Sequence, residues 1–294
     1  MDRTSANGPV VAMSRELAQH LLEASTQEPH EGRLYDYYLG GVANYKMDRV
    51  FADRQISLLP DLVWAAKQNR AFLARALQFM ITRGVRQFVD IGSGLPTQGN
   101  VHQLAERYAP GECTVIYIDH DPVASAHSYL LLEQAGELDR NFPINGDFLH
   151  YEQLWDAIAD TGLVDPAKPV GLLLVALLHF VVKDEPAHEA VRFFRDQVAS
   201  GSWMAISHAS TEGMSEDTMQ RFGTVMKNYD EATSSLRGRT RAEVRKFFGD
   251  WVELDPPGTV WLPEWTHPDL PQEAMVGDMD PSRALNVAAL ARKP

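Results

Sequence analysis

The stretch Val85-Arg86-Gln87-Phe88-Val89-Asp90-Ile91-Gly92-Ser93-Gly94-Leu95-Pro96-Thr97 decides how this 294-residue chain is read. A short apolar, β-branched run ends in an acid and two glycines spaced G-x-G, and a helical pattern follows over 98–108. Strand, glycine turn and helix in that order build a small-molecule site at the carboxyl end of a strand in open α/β sheets. Gly92 and Gly94 let the backbone turn tightly and approach a ligand closely. A dinucleotide fingerprint requires a third glycine three residues after the second. That position is Thr97, and Gly99 comes too late.

C-terminal to this stretch, a second strand should end in an acid that can hold ribose hydroxyls. Cys113-Thr114-Val115-Ile116-Tyr117-Ile118-Asp119 fits, followed by His120-Asp121-Pro122. A third strand-like segment ends in Asn145-Gly146-Asp147-Phe148, and a fourth is the apolar run 170–182. The pattern predicts strands over 85–91, 113–119, 142–145, 170–177 and 202–208. It predicts helices over about 97–109, 122–136, 150–160 and 185–199. Such alternation means a parallel sheet with helices on both faces. Beyond 208 it stops. A helix over 214–229 precedes a capping-box pair, Thr240 and Glu243, which starts another helix. A strand over 251–254, a Trp- and Pro-rich loop to about 281 and a last apolar strand over 285–291 complete the chain.

N-terminal to the deciding stretch, residues 1 to about 13 read as a disordered start. Ser14 is a plausible N-cap for a helical face of Leu17, Leu21 and Leu22, which Pro29 and Gly32 break. The segment 33–46 carries Tyr35, Tyr37, Tyr38 and Tyr45 around Gly40-Gly41 and Asn44, unlike a plain amphipathic helix. The double glycine marks a hinge or a close backbone approach. The segment is either a lid over the site or a surface piece packing its tyrosines on the core. After a short helix over 48–59, Pro60 starts another whose buried stripe is Leu62, Ala66, Leu73, Leu77, Met80 and Ile81, with Gly84 ending it. Asn69 and Arg70 lie in its middle, where an arginine serves either a site or a surface ion pair.

Composition bounds the function. Twenty-seven basic against 40 acidic residues give a formal net charge of -13, which argues against bulk nucleic-acid binding. The most basic segment, Arg237-Gly238-Arg239-Thr240-Arg241, reads as a solvated helix start. The single cysteine, Cys113, excludes an internal disulfide. No signal-peptide core opens the chain, and the run 170–182 is too short to span a bilayer. A cytoplasmic protein with no membrane or nucleic-acid partner is expected. His-x-x-His and Cys-x-x-Cys spacings are absent, so no metal is expected. Serine-hydrolase and P-loop motifs are absent as well. The pattern leaves the oligomeric state open.

Tyr35-Asp36-Tyr37-Tyr38-Leu39-Gly40-Gly41, Asn69-Arg70-Ala71-Phe72-Leu73, the stretch 87–97 and Leu178-His179-Phe180 together resemble an actinobacterial family of methyltransferase-like proteins, over about 32–268. The ordered acids and glycines are similar to those of class I S-adenosylmethionine-dependent methyltransferases. The resemblance implies a Rossmann-like, doubly wound α/β fold with a seven-stranded sheet, mostly parallel with its last strand antiparallel. Residues 1–84 would form an N-terminal helical cap or lid. Residues 85–294 would form the methyltransferase domain, with a helical insertion over about 210–250.

The implied cofactor, S-adenosylmethionine, has handles for the chain to meet. The amides of Gly92, Ser93 and Gly94, with Asp90, would hold the methionine carboxylate and amine, unless Asp90 only fixes the turn. Asp119 would take the ribose hydroxyls. Asp147 and Phe148 would meet the adenine, with His120 or Leu95 flanking it. The sulfonium would lie near Ala176 to His179. Tyr35, Tyr38, Asn44 and Arg70 are lid or substrate candidates, with Trp261 and Trp265 expected on an aromatic rim suited to a small organic acceptor, such as a secondary metabolite. His179 and His208 end strands on the ligand side, each as a catalytic base or as a structural histidine. The same motifs would serve a cofactor-binding regulatory protein without transfer activity; a nucleotide-dependent oxidoreductase is disfavoured by Thr97.

Overall fold

Along β2 (Gln87–Ile91) every residue is buried, and successive side chains go to opposite sides of a sheet. Val89 and Ile91 join one apolar cluster and Phe88 another. The same division holds for β5 (Val170–Val175), with Leu172 and Leu174 against Leu173, and for β6 (Trp203–Ala209), with Met204 and Ile206 against Trp203 and Ala205. A sheet covered on both faces explains why these strands read as unbroken apolar runs. The computed structural model describes residues 10–24, 29–95, 99–271 and 280–294.

The remaining strands are β1 (Val11–Ala12), β3 (Thr114–Asp119), β4 (Asn141–Asn145), β7 (Val252–Glu253), β8 (Val260–Trp261) and β9 (Asn286–Arg292). Among the described residues the sheet has nine strands in the order β1-β4-β3-β2-β5-β6-β9-β7, with β8 also paired to β9. Strands β4, β3, β2, β5 and β6 run parallel, and β9 is antiparallel to β6. The two strands beyond the expected seven are β1 and β8, two residues each and too short to show a period. Val11 and Ala12 pair antiparallel with Asn145 and Ile144, so the expected disorder does not extend over them. Thr97 and its neighbours Pro96 and Gln98 lie outside the described residues.

The helices are α1 (Arg15–Ala24), α2 (Glu31–Tyr38), α3 (Lys46–Leu58), α4 (Asp61–Thr82), α5 (Val101–Tyr108), α6 (Pro122–Ala135), α7 (Tyr151–Asp160), α8 (Asp184–Gln197), α9 (Glu216–Ala232) and α10 (Arg241–Lys246). Helices α4 and α5 supply one cluster, through Phe72, Leu77, Phe79, Met80, Val101 and Ala105. Helices α2, α3 and α7 to α10 supply the other. Pro122 takes the first turn of α6, and Asp121 accepts the Val123 amide at 2.9 Å as its cap. No described helix is long and apolar enough to cross a membrane.

The order places β2 at the centre, between β3 and β5. The chain leaves β2 toward β3 and leaves β5 on the other side, so a crevice opens outside the carboxyl ends of these strands. Above it lies α2, with Gly32 so close that a side chain there would begin 3.9 Å from Gly94 Cα.

Candidate functional site

The turn after β2 is held in a conformation that only glycine adopts freely. Gly92 has φ +73° and Gly94 φ +64°. A Cβ on Gly92 would sit 2.7 Å from Leu177, so the loop after β5 closes on this turn. Three amides tie the turn to β3. Gly92 and Ser93 donate to the Ile118 carbonyl at 2.8 and 3.0 Å, and Gly94 donates to Asp119 Oδ2 at 2.7 Å. This corrects the expectation that these amides are free for a methionine carboxylate. Leu95 follows them, buried.

Asp90 and Asp119 end adjacent parallel strands, in a setting that penalises charge. Asp90 is buried at 7% exposure, and burial pushes its carboxyl up to about 7; Arg70 opposes that shift and Asp119 adds to it. Burial likewise raises the Asp119 carboxyl, with His120 opposing. Asp119 also accepts the Asp121 amide at 2.9 Å through Oδ1. Each carboxylate oxygen has further lone pairs, so hydroxyl groups can still be received there.

Arg70 approaches from α4. Its guanidinium lies 5.6 Å from the Tyr35 ring centre, and a side chain on Gly99 would begin 3.8 Å from its Cδ. Its Nε is buried without a hydrogen-bond partner among the described residues. Beside it, the Tyr35 hydroxyl donates to the Ala66 carbonyl and accepts from Asn69 Nδ2 at 3.0 Å. Asn69 Oδ1 accepts from the Ser207 hydroxyl at 2.5 Å, and that hydroxyl accepts the Ala176 amide at 2.9 Å. The relay ends at strain: Ala176 has φ +58°, a region that side chains with a Cβ rarely enter. Asn69 and Ser207 were not singled out as site residues. The register of β5 and β6 brings Ser207 to Ala176, and α4 brings Asn69 to Ser207.

Asp147 and Phe148 stand beside Asp119, because the Gly146 amide donates to the Asp119 carbonyl at 2.9 Å. Asp147 Oδ1 caps the Leu149 amide. The Phe148 ring is stacked on Phe194 with centroids 5.8 Å apart, inside the core. Its ring is therefore not placed to meet an adenine, as expected of it. His120 is exposed beside Asp119, with Nδ1 3.5 Å from Oδ1.

Several expected site residues are structural. Asn44 is buried; it donates to Asp36 Oδ2 and the Gly41 carbonyl and accepts from Arg49, so every polar atom of its side chain is engaged. It holds the Gly40-Gly41 turn, where a Cβ on Gly41 would overlap the Asp36 carboxylate at 1.8 Å. Tyr38 is hydrogen-bonded to Tyr229 at 2.8 Å, in the core. Trp265 is fully buried edge-on to Phe72, and Trp261 is 6% exposed, so neither forms a rim; both cover apolar area beside α4 and β9.

The two histidines differ from the expectation for a base. His208 is fully buried. Its Nδ1 meets the Ala209 carbonyl and its Nε2 meets Arg239, each at 2.8 Å, and burial first drives its pKa down to about 4. No ring nitrogen is left for a substrate. His179 is held neutral by burial, then by His208 and Arg239, and its Nδ1 accepts the Ala209 amide at 3.4 Å. Its proton is therefore on Nε2, the wrong way round for a base.

Arg239 does this positioning. Rather than a solvated helix start, it is 2% exposed. It donates to the Leu178 and Val181 carbonyls at 2.8 Å and to Asp184 at 3.0 Å, and so clamps the loop after β5. The arginine-rich run was visible in sequence, but its partner loop lies some 60 residues away.

Residues 18–294 match the model of a family described as S-adenosyl methyltransferase. A DUF574 family protein of Streptomyces avermitilis MA-4680 is similar in structure, with TM-score 0.82 and 31% identity, covering 91% of this chain and 98% of that one. A candidate methyltransferase of Thermobifida fusca YX has TM-score 0.79 and 28% identity, covering 90% of this chain and 95% of that one. No curated protein matches this sequence.

Proposed function

The chain belongs to the S-adenosyl methyltransferase family, and from that premise we propose that it moves the methyl group of S-adenosylmethionine to a small organic acceptor. The observation that supports this most is the crevice itself. Two buried acids, Asp90 and Asp119, flank a left-handed glycine turn, and Arg70 reaches the same point with an unpartnered Nε. An ammonium suits Asp90, a pair of ribose hydroxyls suits Asp119, and a carboxylate suits the guanidinium fork of Arg70. The Arg70 assignment replaces the glycine-turn amides, which are already used. When bound, the cofactor supplies a methyl carbon activated by a sulfonium.

The chain's own work is then alignment. Ala176, held by Ser207 and Asn69, and the loop clamped by Arg239 fix the wall where the acceptor would stand. Such positioning is worth roughly 7–11 kcal/mol of the barrier. The bound cofactor would supply its methyl carbon to the acceptor's lone pair and leave as S-adenosylhomocysteine, and this chain's residues would hold the two in line. The acceptor's proton would pass to solvent, because both ring nitrogens of His208 are engaged and His179 uses its Nδ1 as acceptor of the Ala209 amide. That occupancy is also the observation that favours the second reading, a cofactor-binding protein without transfer activity.

The experiment is calorimetric titration of the purified chain with S-adenosylhomocysteine, S-adenosylmethionine and NAD(H). Binding of the sulfur nucleotides alone, lost in Asp119→Ala, is expected. An intact fold that binds neither would overturn the proposal. Release of S-adenosylhomocysteine in an acceptor screen separates transfer from binding alone.

A further inference from the structure

Where the first turn of α2 meets the carboxyl end of β3, two histidines and a glutamate face one another. His30 Nε2 lies 3.8 Å from Glu31 Oε2, and His120 Nε2 lies 3.8 Å from Glu31 Oε1. One donor atom from each of the three residues falls within 4.8 Å of the others. We propose that His30, Glu31 and His120 bind one divalent transition-metal cation. No His-x-x-His spacing announces it, because His120 comes from a different element 89 positions after Glu31.

The backing of the two rings carries the argument. A metal-bound histidine usually donates its second ring N–H to a carboxylate, which fixes the ring and makes the bound nitrogen more basic. Each ring has a carboxylate beside its Nδ1, placed to take that N–H once Nε2 binds a cation. His30 Nδ1 lies 3.2 Å from Asp121 Oδ2, and His120 Nδ1 lies 3.5 Å from Asp119 Oδ1. Asp121 is 5% exposed, and its Oδ2 is buried with no hydrogen-bond partner among the described residues. Its other oxygen already caps α6 through Val123. An orphaned carboxylate oxygen aimed at His30 calls for a proton on His30 Nδ1, and that tautomer leaves the Nε2 lone pair free for a cation. In the metal-free structure His30 Nδ1 accepts the Gly32 amide at 3.2 Å as the cap of α2, so a cation at Nε2 requires the ring to exchange that bond for one to Asp121.

Charge points the same way. Glu31, Asp119 and Asp121 converge here, and among the described residues their only ion-pair partners are these two histidines. Two imidazoles and one carboxylate select zinc, cobalt, nickel or copper over magnesium or calcium. On a tetrahedral zinc with bonds near 2.1 Å, donors stand roughly 3.4 Å apart, so the present spacing closes by small rotations. His120, 55% exposed, is free to make its share. Ser234 fixes the Glu31 carboxylate, donating to Oε1 at 2.6 Å. The fourth position would be water.

The test uses the full chain, treated with chelator and titrated with zinc chloride in the absence of any cofactor. One zinc per chain is expected. His120→Ala and Glu31→Gln should each weaken it by about tenfold or more. The exposed control His20→Ala should leave it unchanged. Cobalt in place of zinc should give the intense visible bands of a four-coordinate ion, absent in His120→Ala. Unchanged circular dichroism of the variants shows that they fold. Absence of stoichiometric binding, or binding that survives both substitutions, overturns the site. Neither outcome depends on whether S-adenosylmethionine binds.

Discussion

Asp90 can be neutralised in two ways, by a proton or by a cation. Burial holds its carboxyl near 7, so the free protein carries it half-protonated at neutral pH. Pairing with the ammonium of a bound cofactor requires the ionised form. Affinity for S-adenosylhomocysteine should therefore fall as pH drops below about 7, by up to about tenfold per pH unit. Asp90→Asn should bind more weakly and without that dependence, read by calorimetry across pH 5.5–8.5. Stability follows the opposite course. A carboxyl whose folded pKa is raised favours the fold below its ordinary 3.8 and loses that contribution as pH rises through 7. Asp90→Asn should thus gain in thermal midpoint between pH 4 and 7, then level off. His208, pushed down to about 4, has the other sign: its contribution is present above 6.5 and is lost as pH falls toward 4. Asp90 and Asp119 were legible because an acid at the end of an apolar strand is a local pattern. The role of His208 was not, because the arginine that occupies its Nε2 stands 31 positions away.

At the scale of elements, the strands and helices of the sheet were readable because their burial repeats: β2, β3, β5 and β6 match the expected runs to within two residues. The two-residue strands β1 and β8 have no period to read. The strap 237–241 shows a different limit. Its composition suggested solvent, whereas Arg239 donates to the Leu178 and Val181 carbonyls, to Asp184 and to His208 Nε2. Replacing it leaves the two carbonyls and His208 Nε2 without that partner, at about 1–3 kcal/mol each. Arg239→Met should cost about 3 kcal/mol or more in urea denaturation. Arg239→Lys should recover only part of that, because an ammonium cannot reproduce the planar fork. If Arg239→Met unfolds at the parent's urea midpoint, the loop after β5 is not held by this strap.

At the scale of the whole molecule, pieces from both ends of the chain pack on one another. Helices α2 and α3 come before the first parallel strand, and α9 comes after the fifth, yet they meet. Tyr38 and Tyr229 share a hydrogen bond at 2.8 Å across 191 positions, Asn228 donates to Gln55 at 2.9 Å, and the Phe51 ring lies edge-on to Tyr229. A cap and an insertion could each be anticipated from where alternation starts and stops, but no local signal joins them. The tyrosine pair measures that junction. Both rings are in the core, and burial pushes the Tyr38 hydroxyl up to about 12, so both stay protonated and each needs the other as its partner. Tyr38→Phe or Tyr229→Phe alone strands one buried hydroxyl, which costs about 1–3 kcal/mol. The double substitution removes both groups together and costs less than the sum. A double-mutant cycle in urea should give a coupling of about 0.5–1.5 kcal/mol. Effects that add to within about 0.3 kcal/mol would mean that α2 and α9 are held independently.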